Sequence, residues 1–152
     1  MVFHKPKDVR VDTVEDPKIK GDTDVIIKVT STAICGYDLH IYNGFMPKVK
    51  PMVFGHEFMG IVEEVGKGVT KLKVGDRIVV PFPISCGHCH FCDMGEFPHC
   101  EKSNHNTYGP EREIIKAKAP GSALYGFTDL YRGYDGGQAE YARVNMQILV
   151  QE

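Results

Sequence analysis

The chain has 152 residues, with 18 Lys and Arg against 20 Asp and Glu and a formal net charge of -2. Its 42% hydrophobic and 25% charged residues are the composition of a globular domain able to bury a core of its own, which excludes a disordered chain. Neither sign of charge gathers into a run that could follow a phosphate backbone or an acidic bilayer, so neither nucleic acid nor membrane is an expected partner.

The first residues, Met1-Val2-Phe3-His4-Lys5-Pro6-Lys7-Asp8, hold no apolar stretch of export-signal length. No later segment approaches the roughly 20 apolar residues that span a bilayer, and a cytoplasmic location is expected. Five cysteines in such a setting point to metal binding or thiol reactivity rather than disulfides.

In chain order, β-branched runs from Asp24 to Thr30, Gly60 to Val65 and Arg77 to Val80 read as strands bounded by turn residues. Gly66, Gly68, Gly75-Asp76 and Gly136-Gly137 mark the reversals between them. A short helical turn is expected after Cys35 through Tyr42, with Leu39 and Tyr42 spaced to share a buried face. Ser103 to Gly126 is rich in polar and turn residues and reads as a long excursion. Within it, Pro110 to Lys118 has proline and acids in its first turn and lysines at its end, the pattern of a short helix. There is no internal repeat, and most of the chain is expected to be β.

Cys86, Cys89, Cys92 and Cys100 lie in one segment, Cys-Gly-His-Cys-His-Phe-Cys-Asp-Met-Gly-Glu-Phe-Pro-His-Cys. Pairs two residues apart can turn their sulfurs to one point, and four convergent thiolates suit a tetrahedral zinc ion. A closed shell of four sulfurs leaves no position for water or substrate, so such an ion orders the loop and does no chemistry. Two disulfides or four separate thiols are the bland alternatives; an iron–sulfur cluster also takes four cysteines, at other spacings. His88, His90 and His99 sit in the same segment and read as surface residues.

The fifth cysteine, Cys35, follows Ala33-Ile34 and precedes Gly36. Downstream, Gly55-His56-Glu57-Phe58-Met59-Gly60 sets an imidazole beside a carboxylate between glycines, so three ligand types are available for a second metal.

Gly55-His56-Glu57, Gly60, Gly66 and Val69 match the signature of the zinc-dependent medium-chain alcohol dehydrogenases, with the cysteine loop at the expected distance downstream. Ile34-Cys35-Gly36, Lys73-Val74-Gly75-Asp76-Arg77 and Gly137-Gln138-Ala139-Glu140-Tyr141 extend the resemblance from about Lys5 to Val144. The chain resembles the GroES-like N-terminal catalytic domain of that family and looks closest to its formaldehyde dehydrogenase-like branch. The resemblance implies one catalytic-type domain over residues 1–152, mainly β, a partly open barrel with short helices and a structural-zinc loop at residues 85–101.

It also implies that Cys35 and His56 ligate a catalytic zinc, with Glu57 approaching or withdrawing as water and substrate exchange. The family's remaining protein ligand usually lies beyond this sequence, so weak binding is expected. Asp38 falls where the family has a carboxylate that bonds the ligating histidine. His40 matches a histidine that relays the alcohol proton to solvent. Tyr37 departs from the pattern, because the family usually has Ser or Thr there to bond the substrate oxygen.

Hydride transfer from an alcohol needs a nicotinamide ring as well as zinc. The sequence holds no Gly-x-Gly-x-x-Gly between a strand and a helix and no alternating strand–helix series. NAD is therefore expected only if a separate Rossmann cofactor domain is supplied, and no turnover is expected from this chain alone. A domain that packs against another keeps an apolar face, which favours a homo-oligomer or a protein partner there. The main alternative is a non-enzymatic zinc-stabilised binding module; a co-chaperonin is disfavoured, because nothing in one requires two metal sites.

Overall fold

Short β-branched runs cut by Gly, Pro and Asp yield short strands, and in the computed structural model these strands form three open antiparallel sheets. The structure describes residues 1–46, 49–104, 121–145 and, as backbone, 150–151. In chain order the strands are β1 (Val2–Lys5), β2 (Asp8–Arg10), β3 (Val25–Thr32), β4 (Met52–Val53), β5 (Phe58–Val65), β6 (Arg77–Val80), β7 (Pro83–Ile84), β8 (Ala123–Leu124), β9 (Tyr141–Val144) and β10 (Val150–Gln151). Two short α-helices, α1 (Gly36–Tyr42) and α2 (His90–Asp93), and 3-10 turns at Phe97–His99 and Asp129–Tyr131 complete the described elements.

The main sheet has the order β10-β6-β5-β3-β9, the second β2-β1-β4, and β7 pairs with β8. The long ladder joins β3 to β5, from Val25 opposite Val65 to Thr32 opposite Phe58, with irregularities between Ile26 and Ile27 and between Val29 and Ser31. Val25, Ile27, Val62, Ile78, Tyr125 and Val144 form the centre of the main core. A second core gathers Phe3, Ile41, Met52, Phe54 and Phe127 between the small sheet and α1. This mainly-β architecture with short helices agrees with the GroES-like expectation.

The three expected strands are present, with β3 running on to Thr32 and β5 starting at Phe58. The helical turn after Cys35 is also present, but its buried face differs from the expected one. Asp38 and Ile41 point inward, whereas Leu39 is 55% exposed and Tyr42 is half-buried. The helix is oriented by a buried carboxylate and one isoleucine, a pairing that an apolar-spacing rule does not see. The Ser103–Gly126 excursion is anchored in the interior at both ends: Ser103, Asn104, Ser122, Ala123 and Tyr125 are buried. The helix expected at Pro110 to Lys118 lies outside the described residues.

Candidate metal centres

The cysteine loop folds around its own sulfurs. Cys89 caps α2 in an extended conformation, and the 3-10 turn Phe97–His99 delivers Cys100 back to the start of the segment. Cys86 Sγ lies 4.0 Å from Cys92 Sγ and Cys89 Sγ 4.0 Å from Cys100 Sγ, and all four sulfurs fall within 4.8 Å of one another. A disulfide needs about 2.05 Å. A tetrahedron with Zn–S near 2.3 Å puts sulfurs about 3.8 Å apart, close to what is seen.

Cys89, Cys92 and Cys100 are buried, and Cys86 is half-buried. Burial pushes the Cys86 and Cys92 thiols up. Burial acts the same way on Cys89 and Cys100, yet backbone N–H groups near Cys89 and the Ser103 hydroxyl at Cys100 draw these two down. Burial disfavours charge on every one of these neighbouring thiols, and a bound cation is what lets all four sulfurs carry it. His88 and His90 are exposed and His99 is half-buried; His88 Nδ1 sits 2.7 Å from the Cys86 carbonyl oxygen.

The second cluster forms where the β3–β5 ladder ends. The Ala33 N–H and the Thr32 hydroxyl both donate to Glu57 O, at 3.0 and 3.2 Å, which brings the residues after β3 alongside those before β5. Cys35, His56 and Glu57 each bring one ligand atom within 4.8 Å of the others. Cys35 is half-buried, His56 buried and Glu57 exposed, so the cluster opens to one side.

Asp38 braces two of these residues from behind. Its Oδ2 accepts the Cys35 N–H at 2.8 Å, while its Oδ1 faces His56 Nδ1 at 3.4 Å. Those two facing atoms are buried and have no hydrogen-bond partner. The other ring nitrogen, Nε2, faces Glu57 Oε1 at 3.9 Å. An imidazole with a carboxylate behind one nitrogen and open donors at the other is oriented as a metal ligand is. The set of one sulfur, one nitrogen and one oxygen suits zinc with an open position. In the metal-free chain, Asp38 above all and then Cys35 hold the His56 pKa up to about 8, with burial opposing them.

Tyr37 and His40 occupy the exposed rim of α1. The Tyr37 ring meets Phe127 edge-on at 5.8 Å and His40 at 5.9 Å, and His40 tilts against Phe45 at 5.9 Å. Sequence reasoning missed the aromatic frame: Phe82 and Phe127 each meet the His56 ring edge-on at 6.0 Å. Both phenylalanines lie far from His56 along the chain, so no local pattern singles them out.

Residues 21–151 match the family described as the alcohol dehydrogenase GroES-like domain. The chain belongs to the alcohol dehydrogenase GroES-like domain family. This GroES-like domain is 52% identical over 139 residues to an uncharacterized zinc-type alcohol dehydrogenase-like protein of Bacillus subtilis (strain 168), covering 91% of this chain and 34% of that protein. It is 37% identical over 150 residues to a glutathione-independent formaldehyde dehydrogenase of Pseudomonas aeruginosa, covering 95% of this chain and 34% of that one. Among solved structures it is similar to an alcohol dehydrogenase from Thermus sp. ATN1, with a TM-score of 0.82, 34% identity, and 99% of this chain and 38% of that chain covered. The GroES-like domain thus spans about a third of the length of the curated relatives it matches. Among the described residues, no helix is long and apolar enough to cross a membrane.

Proposed function

We propose that this chain is the zinc-holding catalytic portion of an alcohol or aldehyde dehydrogenase, working together with a nucleotide-binding portion. The observation that carries this reading is the convergence of Cys35, His56 and Glu57 on one point with Asp38 buried behind them. Zinc held there would supply a Lewis acid to polarise a substrate oxygen and acidify an alcohol. Cys35 and His56 are its firm ligands, and the exposed Glu57 can yield as water and substrate exchange. Asp38 fixes the His56 ring and keeps Nε2 toward the cluster. His40, exposed on the rim, is placed to pass the hydroxyl proton to solvent, the role a positioned imidazole plays in general acid–base catalysis. A nicotinamide ring, where a cofactor domain supplies one, would take up the carbon-bound hydrogen as hydride, so NAD is the cofactor this reading calls for.

Cys86, Cys89, Cys92 and Cys100 hold a second, structural zinc in this reading. Reduced thiols in that number support a cytoplasmic setting. The exposed apolar side chains near the open cluster, Ile34, Tyr37, Leu39, Phe45 and Phe82, form the face on which a cofactor domain, a second copy or a protein partner would pack.

Tyr37 favours a second reading. Its phenol stands where the resemblance calls for a small hydroxyl, which suits a binding module that keeps only the loop zinc. Elemental analysis of wild type and Cys35→Ala, purified with zinc present, separates the two. Two ions per chain falling to one in the variant supports the catalytic reading; one ion in both proteins supports the module.

A further inference from the structure

The segment carrying His56 is gripped from behind by the turn at residues 135–138. Asp135 Oδ1 accepts the Val53 N–H at 3.0 Å. The N–H groups of Gly136, Gln138 and Gly137 donate to the carbonyls of Val53, Phe54 and Gly55, each at 2.8 Å. Four bonds thus fix the three residues that lead into His56. The fit leaves no room for side chains: a Cβ on Gly136 would lie 2.1 Å from the Gly55 oxygen, and one on Gly55, at φ +95°, would lie 2.5 Å from Gln138 Cγ.

From the same turn, one side chain reaches the segment carrying Cys35. Gln138 Nε2 donates to the Ala33 carbonyl at 3.3 Å, two residues before Cys35. Gln138 is 7% exposed, and its Oε1 is buried with no hydrogen-bond partner. Burying half of an amide unsatisfied costs stability, and an apolar residue of equal length would fill the same space without that cost. The amide N–H is therefore the part of the side chain that sets glutamine apart from such a filler.

We infer that Gln138 is a positioning residue for the Cys35–His56–Glu57 centre, setting the Cys35 segment through its side-chain N–H and the Gly55–His56 segment through its backbone and Cγ. This rests on reading that cluster as a metal centre. These bonds run to Ala33 and Phe54 rather than to the ligands themselves; the separation of the two segments is what Gln138 controls.

Two variants keep the site filled while changing that bond. Gln138→Met keeps the length and loses the donor. Gln138→Glu keeps the shape and sets a carboxylate oxygen against the Ala33 carbonyl. Each is compared with wild type and Cys35→Ser by titrating metal-free chain with cobalt(II), reading stoichiometry, affinity and thiolate–cobalt absorption at both centres, and thermal melting. The expected result is an affinity at the second centre about 10-fold or more weaker in both variants, the range found when a residue supporting metal ligands is lost. The cobalt spectrum of that centre should be altered in both variants, while the cysteine loop keeps its ion; Gln138→Met should melt near wild type and Gln138→Glu lower, because it buries an unpaired carboxylate. Wild-type affinity in Gln138→Met would overturn the inference and leave Gln138 as packing. Loss of both ions together with a large drop in melting in Gln138→Met would also overturn it, by making the role a general structural one. If wild type takes up no more cobalt than Cys35→Ser, the metal reading of the cluster itself fails, a result visible before either Gln138 variant is made.

Discussion

The two clusters solve opposite problems with overlapping chemistry. In the loop, four sulfurs close on one another, three of them buried, and the donor set is complete within one short segment. At the second cluster, three different donor atoms come from two distant segments, and one of them, Glu57, is exposed. A complete shell holds an ion and does nothing else; an incomplete one binds more weakly and leaves a position for substrate. The loop spends its donors on order, whereas the second cluster depends on the sheet for order and keeps its donors for chemistry.

The sharpest way to break this contrast is to open the closed shell. Cys100→Ser, at a fully buried position, should remove the loop ion and lower the melting temperature on the order of 10 °C, because metal binding there is folding energy. The same change should leave cobalt uptake at the second cluster intact, checked by absorption at each centre. Metal removal gives the next largest effect. A graded chelator titration, followed by released zinc, should empty the Cys35 centre first and the loop only at much higher chelator. Simultaneous release would mean that the two sites are not of different kinds.

Asp38→Asn sharpens the comparison without touching a ligand. The second centre should lose about 10- to 100-fold in zinc affinity and the loop nothing, read by competition with a metal indicator. The smallest effect is a pH dependence in the metal-free chain. His56 has a folded pKa raised from 6.5 to about 8, chiefly by Asp38. Its stabilising contribution is therefore complete below about 6.5 and lost as pH rises through about 8. Urea midpoints of metal-free wild type should fall between about pH 6 and about pH 9 more than those of Asp38→Asn. Equal slopes would show that Asp38 is not what holds the proton.

Residue spacing made some of this legible and was blind to the rest. The four loop cysteines, Gly55-His56-Glu57 and the strands at β3, β5 and β6 all carry local patterns, either ligand spacing or β-branched runs between turn residues. The two-residue strands β4, β7, β8 and β10 are too short to show a period, and long-range pairing specifies them. The orientation of α1 escaped because its inward residue Asp38 is charged; its place in the interior depends on His56 and on the Cys35 amide. Phe82, Phe127 and Gln138 reach the site only through the folded chain, and Gln138 was visible solely as part of a matched motif.

The β3–β5 ladder acts as a ruler. Cys35 lies three residues past the end of β3 and His56 two before the start of β5, so the distance between sulfur and imidazole is measured out by strand pairing. Side chains alternate faces along a strand, so sliding the pairing by one residue would turn Val25 and Ile27 out of the core and carry Cys35 past His56 in the same movement. An error in ligand spacing is thereby also an error in core packing. Chains that mismeasure the site fail to fold well, and those that fold present the two ligands at one fixed gap.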